Sequence, residues 1–256
     1  MSGAIWRVDT VTLSSSSYVC STSCSVAPAI TNGPPPSLVI VGTPYSFTFA
    51  ATGNPAPTFS LTSGTLPPGI TVSSGGALSG TATSAGTGDF PNITVTASNG
   101  TLPNAQQIFS LTAVTRVANY LSSYGLTGGN AALLFDYDSD GIVNLMEYAL
   151  LQNPTLASVT GLPAVISKNY SGTKYLSITF TRSSVATDLT YTVQGSSDLM
   201  TWSDLASSIG GAATSGPGFV SETGPAPLFS VEVRDTVPID GTPGLKRFLR
   251  LKVSSP

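Results

Sequence analysis

Between Thr10 and Thr115 the sequence carries a single formally charged side chain, Asp89. No other feature narrows the fold as far, because a surface helix keeps its outer face wet with charged and polar side chains. A stretch with almost no charge must instead present Ser, Thr, Gly and Asn to water, which suits short strands and turns. From Ser37 to Thr115 the segments LVIV, YSFTFAA, PTFSLT, GITV, GALSG, FPNITVTAS and QIFSLTAV follow one another, with Gly, Pro and Asn clustered at the joins. Strands of this length and spacing predict a β-sandwich. The same poverty of charge leaves almost no general acid, base or electrophile in this half of the chain.

Several phrases in this stretch carry a family likeness. They are Gly42-Thr43-Pro44-Tyr45-Ser46-Phe47, Pro57-Thr58-Phe59-Ser60-Leu61, Gly64-Thr65-Leu66-Pro67-Pro68-Gly69-Ile70, Gly75-Gly76-Ala77-Leu78-Ser79-Gly80-Thr81 and Ile93-Thr94-Val95-Thr96-Ala97-Ser98-Asn99-Gly100. With them, residues 37–115 resemble the Putative Ig (cadherin-like) domain family, repeated in large bacterial surface proteins. The resemblance implies an Ig-like sandwich used as a spacer or adhesive module, without enzymatic activity.

Ahead of it, residues 4–13 (AIWRVDTVTL) read as one strand, and Thr31–Pro36 (TNGPPP) reads as a stiff polyproline spacer. Residues 1–36 are therefore expected to be an N-terminal strand and Pro-rich linker. Cys20 and Cys24 are the only cysteines. In an extracellular setting they are expected to close a small disulfide loop, with two free thiols or pairing to another chain as the alternatives.

Helical spacing first occurs at Arg116–Leu126, where Val117, Tyr120, Leu121 and Tyr124 share one face. A second short helix is expected over NLMEYALL, ended by Asn153-Pro154. Residues 116–160 thus form a helical segment between the first sandwich and a second at 161–256. The candidate strands of the second sandwich are AVIS, KYLSITFTR, LTYTVQGSS, FVSET, LFSVEVRD and KRFLRLKV. Its phrases Tyr175–Arg182, Leu189–Val193, Ser196–Trp202 and Arg247–Leu251 resemble a β module that often ends such proteins. Lys246, Arg247, Arg250 and Lys252 read as a charged strand that blocks edge-to-edge pairing, with a binding patch as the alternative.

Residues 136–147 read Asp-Tyr-Asp-Ser-Asp-Gly-Ile-Val-Asn-Leu-Met-Glu and fit the twelve-residue calcium pattern D-x-D-x-D-G-x5-E at every required position. Calcium is a hard cation that takes six to eight oxygens, roughly 2.3–2.6 Å away, in a flexible shell. Asp136, Asp138 and Asp140 would turn carboxylates inward, and Gly141 would permit the sharp bend. Ile142 would supply its carbonyl, Asn144 would act directly or through water, and Glu147 would clamp from the following helix. The bland alternative is a solvated acidic turn, but four carboxylates this close repel one another without a cation. Asn144-Leu145-Met146-Glu147-Tyr148-Ala149-Leu150, with Asn153-Pro154, resembles dockerin-like and thrombospondin type 3-like calcium segments of secreted bacterial proteins. The loop stands single and the helix before it is cut off by Gly128-Gly129, a departure from a paired EF-hand that points to a structural clamp between two sandwiches rather than a regulatory switch.

The fold expected is mainly β, two Ig-like β-sandwiches joined by a short helical calcium-binding segment. Without histidine there is no Ser-His-Asp or Cys-His system, and no Gly-rich phosphate loop is present. An enzyme is not expected. A net charge of −3 argues against nucleic acid, and no apolar run is long enough for a membrane helix. The leading expectation is a non-catalytic structural or adhesive segment of a bacterial cell-surface protein, extracellular and rigidified by Ca2+. Its partners would be copies of itself or neighbouring surface-protein domains, with glycans as a further ligand class. The alternatives are a filament subunit that donates residues 4–13 as a strand, and a carbohydrate-binding accessory module of a secreted enzyme. For the latter, Trp202 is the candidate platform, although a buried aromatic under a loop is the commoner arrangement.

Overall fold

The computed structural model describes residues 25–239 and 245–255. The opening strand expected at 4–13 and the Cys20/Cys24 pair lie outside the described residues. What is described is mainly β: two sandwiches with a helical segment between them in sequence.

The first sandwich contains β1 (Val26–Ile30), β2 (Leu38–Ile40), β3 (Pro44–Thr48), β4 (Ala51–Asn54), β5 (Thr58–Ser63), β6 (Ile70–Val72), β7 (Ala77–Thr81), β8 (Gly88–Ser98) and β9 (Ala105–Val114). One sheet runs β2-β9-β8-β5, the other β3-β7-β6, and β1 and β4 make a two-stranded ribbon. The pleat puts Ile93, Val95 and Ala97 of β8 on one face, where they meet Phe49, Phe59, Leu78, Phe109 and Leu111 in a closed apolar core. Two glycines of the family-like phrases are required by backbone crowding. A Cβ on Gly69 would lie 2.1 Å from the Thr81 carbonyl oxygen, and one on Gly80 would lie 1.9 Å from that of Gly69.

The sandwich begins earlier than the Pro-rich stretch suggests. β1 pairs antiparallel with β4, from Val26↔Asn54 to Ile30↔Ala51. Asn32 then ties the following segment down, donating to the Thr48 carbonyl (2.7 Å) and accepting from the Ala50 amide (2.9 Å), and the Tyr45 hydroxyl donates to the Pro36 carbonyl (2.7 Å). Residues 31–36 are thus stitched to the first sandwich rather than spacing it from something else. Pro28 within β1 obscures the strand in the sequence, since proline is tolerated at a sheet edge or bulge, and the pairing is bulged between Val26 and Ala29.

From β9 one residue, Thr115, leads into α1 (Arg116–Ser123), and its hydroxyl caps the helix by accepting from the Ala118 amide at 3.2 Å. The helix ends in a Schellman closure, with the Gly125 amide on the Ser122 carbonyl and the Leu126 amide on the Leu121 carbonyl, and Gly125 takes φ 78°. α2 (Asn144–Leu150) follows the acidic loop. No helix among the described residues is long and apolar enough to cross a membrane.

The second sandwich contains β10 (Ala164–Tyr170), β11 (Thr173–Ser183), β12 (Thr190–Ser196), β13 (Ser203–Ile209), β14 (Phe219–Thr223), β15 (Leu228–Arg234) and β16 (Phe248–Ser254). Its sheets run β10-β11-β15-β14 and β13-β12-β16. Val117 and Leu121 of α1, Leu126, and Tyr148 and Ala149 of α2 share one core with Ile178, Phe180, Tyr191, Val193, Val231 and Val233. The helical segment therefore completes the second sandwich by burying its apolar face there. An Arg182–Glu222 pair spans β11 and β14, with Arg182 only 2% exposed and also donating to the Gly211 carbonyl at 3.1 Å.

Candidate metal centre

The acidic loop lies between a 3-10 turn at Gly128–Ala131 and α2. Backbone amides curl it around its own carboxylates. Asp136 accepts from the amides of Ser139 (2.8 Å) and Gly141 (2.9 Å), and Asp140 accepts from the amide of Ile142 (2.8 Å). Ser139 and Gly141 take φ 64° and 90°. A Cβ on Gly141 would meet nothing within 4 Å, so glycine is favoured there by backbone conformation and not by space.

This curl brings Asp136, Asp138 and Asp140 together, with one carboxylate oxygen of each within 4.8 Å of the others. Glu147 stands outside that set. It is nevertheless 1% exposed, and burial, then the charges of Asp138, Asp140 and Asp136, push its carboxyl up to about 7. Burial, together with the charges of Asp140 and Asp136, also raises Asp138. Ile142 is buried, anchoring the loop as its apolar character predicts.

Asn144 has a second task that the ligand pattern does not reveal. Its amide group donates to the carbonyls of Asn130 (2.9 Å) and Ala132 (2.8 Å), locking the preceding turn. Among the described residues its Oδ1 is buried without a donor, and so are Asp138 Oδ2 and Glu147 Oε2. A buried acceptor without a partner is costly, and here three fall on positions of the ligand pattern. A cation would satisfy them. The donor set is all oxygen, which suits calcium rather than a transition metal that prefers nitrogen or sulfur.

Other contacts, unmarked in the sequence, hold the outgoing chain over the loop and α2 against the second sandwich. The Ser158 amide donates to Asp140 Oδ2 (2.8 Å), pulling the outgoing chain over the loop. The Tyr148 hydroxyl donates to Asp188 (2.6 Å), and that of Tyr191 donates to the Ala149 carbonyl (2.7 Å). No spacing rule would have found these, since the partners lie 18 to 42 residues apart.

The other sequence candidates are less open than their residue types suggest. Trp202 is half-buried, with the Arg250 guanidinium 4.0 Å from its ring centre. Arg250 also donates to Gln194 (2.8 Å), and Arg247 makes a two-bond ion pair with the buried Asp235.

Compared with known proteins, residues 27–114 match the family model described as Putative Ig domain. No curated protein matches the sequence. Among solved structures, the titin domains Z1Z2 in complex with telethonin are 14% identical, over 90% of this chain and 95% of that one, with a TM-score of 0.28. A chimeric titin Z1Z2 functionalised with a KLER exogenous peptide from decorin is 21% identical over 37% of this chain and 100% of that one, with a TM-score of 0.28. Dpr2 Ig1-Ig2 in complex with DIP-Theta Ig1-Ig3 is 12% identical over 89% of this chain and 64% of that one, with a TM-score of 0.27.

Proposed function

We propose that this chain is a non-catalytic structural or adhesive segment of an extracellular bacterial surface protein, in which calcium stiffens the helical segment. The Ig-type domain at residues 27–114 supports the structural role. The observation that carries the calcium reading is the coincidence of three converging carboxylates with three buried, donorless oxygens on Asp138, Asn144 and Glu147. Asp136, Asp138, Asp140, the Ile142 carbonyl, Asn144 and Glu147 would hold the ion. Affinity on the order of 10⁻⁴–10⁻³ M suits an extracellular module.

Mechanically, the loop fastens α2 and the outgoing chain to the second sandwich, and α1 is the direct continuation of β9 from the first. Neutralising the loop would therefore stiffen the path from one sandwich to the next by securing the core that holds both helices. The weakly charged surface and the lack of histidine accord with a packing role outside the cell. The test is thermal melting in chelator and in millimolar calcium. The proposal requires calcium to raise the melting temperature, and identical melts would end it.

A further inference from the structure

We propose that the cavity where α1 meets both sandwiches binds a small apolar zwitterion, with its carboxylate on Arg116 and its ammonium on Asp188. The cavity holds about 320 Å³ and is mostly apolar. Val41 of the first sandwich, Val117 and Leu121 of α1, and Leu133 ahead of the acidic loop form the apolar part, while Arg116 and Asp188 supply the charges. Backbone pairing fixes the walls. The Val41 amide donates to the Val114 carbonyl at the end of β9 (2.9 Å), and the Leu145 amide donates to the Leu133 carbonyl (2.9 Å). Thr115 caps α1 between them. A preformed, mainly apolar cavity at the junction of two domains, with a few polar groups on its wall, is the usual form of a small-molecule site. None of these six lining residues belongs to the ligand pattern of the acidic loop, so the inference stands apart from the calcium reading.

The two charges select the occupant. Both side chains are half-buried. Among the described residues the Arg116 guanidinium has neither a hydrogen bond nor an ion pair. Asp188 Oδ1 accepts from the Tyr148 hydroxyl (2.6 Å), which leaves Oδ2 for a second donor. That hydroxyl also lies in the field of Arg116, so the two charges are near neighbours that do not pair. Half-buried charge beside an apolar wall is costly without a partner. A fatty acid would satisfy Arg116 but meet the like charge of Asp188, and an amine would do the reverse. A zwitterion answers both. Its carboxylate can take two parallel N–H bonds from the guanidinium, and its ammonium can donate to Asp188 Oδ2. An apolar side chain would then cover Val41, Leu121 and Leu133. An apolar α-amino acid has this form, with both charged groups borne on one carbon, as two neighbouring charges on one wall require.

Titration calorimetry of the full chain with L-phenylalanine and L-leucine, and with the amide and the deaminated acid of each, tests this in calcium and in chelator alike. At least one of the two amino acids should bind saturably, and each of its analogues, lacking one charge, should bind roughly tenfold more weakly. Arg116→Gln should erase the preference over the amide and keep that over the deaminated acid. Asp188→Asn, which can still accept from Tyr148, should do the reverse. The NMR signals that move on binding should be those of Val41, Leu121 and Leu133. Absence of saturable binding by both amino acids at millimolar concentration, signals that move only elsewhere, or a preference that neither variant alters would each overturn the proposal. Equal binding of the amino acid and its analogues by the parent chain would overturn it too, and that comparison decides the matter should a variant fail to fold. The calcium melt remains a separate result, because loss of amino-acid binding leaves the acidic loop untouched.

Discussion

Replacing Glu147 by Gln separates two consequences of the loop that a simple loss of function would merge. In the metal-free protein the buried carboxyl is pushed up to about 7 from an ordinary 4.5. The folded state therefore holds the proton more tightly than the unfolded one, and metal-free stability rises as pH falls from 7 towards 4.5. At 1.36 kcal/mol per pH unit, an ionised Glu147 opposes folding by at most about 3 kcal/mol at neutral pH. Gln is isosteric and carries no charge, so in chelator the variant should be more stable than the parent. In 10 mM calcium the gap between the two should narrow. With a dissociation constant on the order of 10⁻⁴–10⁻³ M, the parent gains about 1.4–2.7 kcal/mol, or roughly 3–10 °C in Tm. The variant, without its clamping carboxylate, should gain less than about 0.5 kcal/mol. Differential scanning calorimetry in chelator and in calcium reads both effects. The reasoning fails if Glu147→Gln melts no higher than the parent in chelator, or if calcium raises both proteins equally.

The same carboxyl predicts that calcium binding displaces a proton, so apparent affinity should fall as pH drops from 7.5 to 5; a flat titration over that range would contradict it. Arg182 beside Glu222 holds its carboxyl down to about 2, against an ordinary 4.5. This pair contributes up to about 3 kcal/mol that is present above pH 4.5 and lost as pH falls through 2, and Glu222→Gln should flatten that part of the acid denaturation curve. Gly69→Ala should destabilise the first sandwich by roughly several kcal/mol, because its φ of 94° and the Thr81 carbonyl 2.1 Å from the added Cβ leave no relaxed position. A first-sandwich transition unchanged by Gly69→Ala would show that the backbone there can shift.

What could be read in the sequence was what lies close together in it. The acidic loop puts its oxygens into twelve consecutive residues, and the Asp-x-Asp-x-Asp-Gly spacing itself curls the chain. The alternation of β8 and the glycines of the β6–β7 turn region are equally local, so the first sandwich was legible too. β1 was hidden by Pro28. β13, Ser-Asp-Leu-Ala-Ser-Ser-Ile, was hidden by its polar composition, although Leu205, Ala206 and Ser208 are buried. The phrase Tyr-Ser-Phe-Thr-Phe-Ala-Ala reads as one strand but divides into β3 and β4, which join different sheets. Long-range pairings left no trace in spacing. Arg182 and Glu222 are 40 residues apart, as are Tyr148 and Asp188. The membership of α1 and α2 in the second core depends on such contacts. Asn144 shows how a pattern can describe half a residue's work, since its amide locks a turn 12 to 14 residues upstream.

The most direct measurement is an anomalous difference map from crystals grown in millimolar calcium. A single peak should stand in the loop, with Asp136, Asp138, Asp140, the Ile142 carbonyl and Glu147 contributing oxygens at roughly 2.3–2.6 Å. A loop without a peak, its carboxylates turned apart to solvent, would contradict the account.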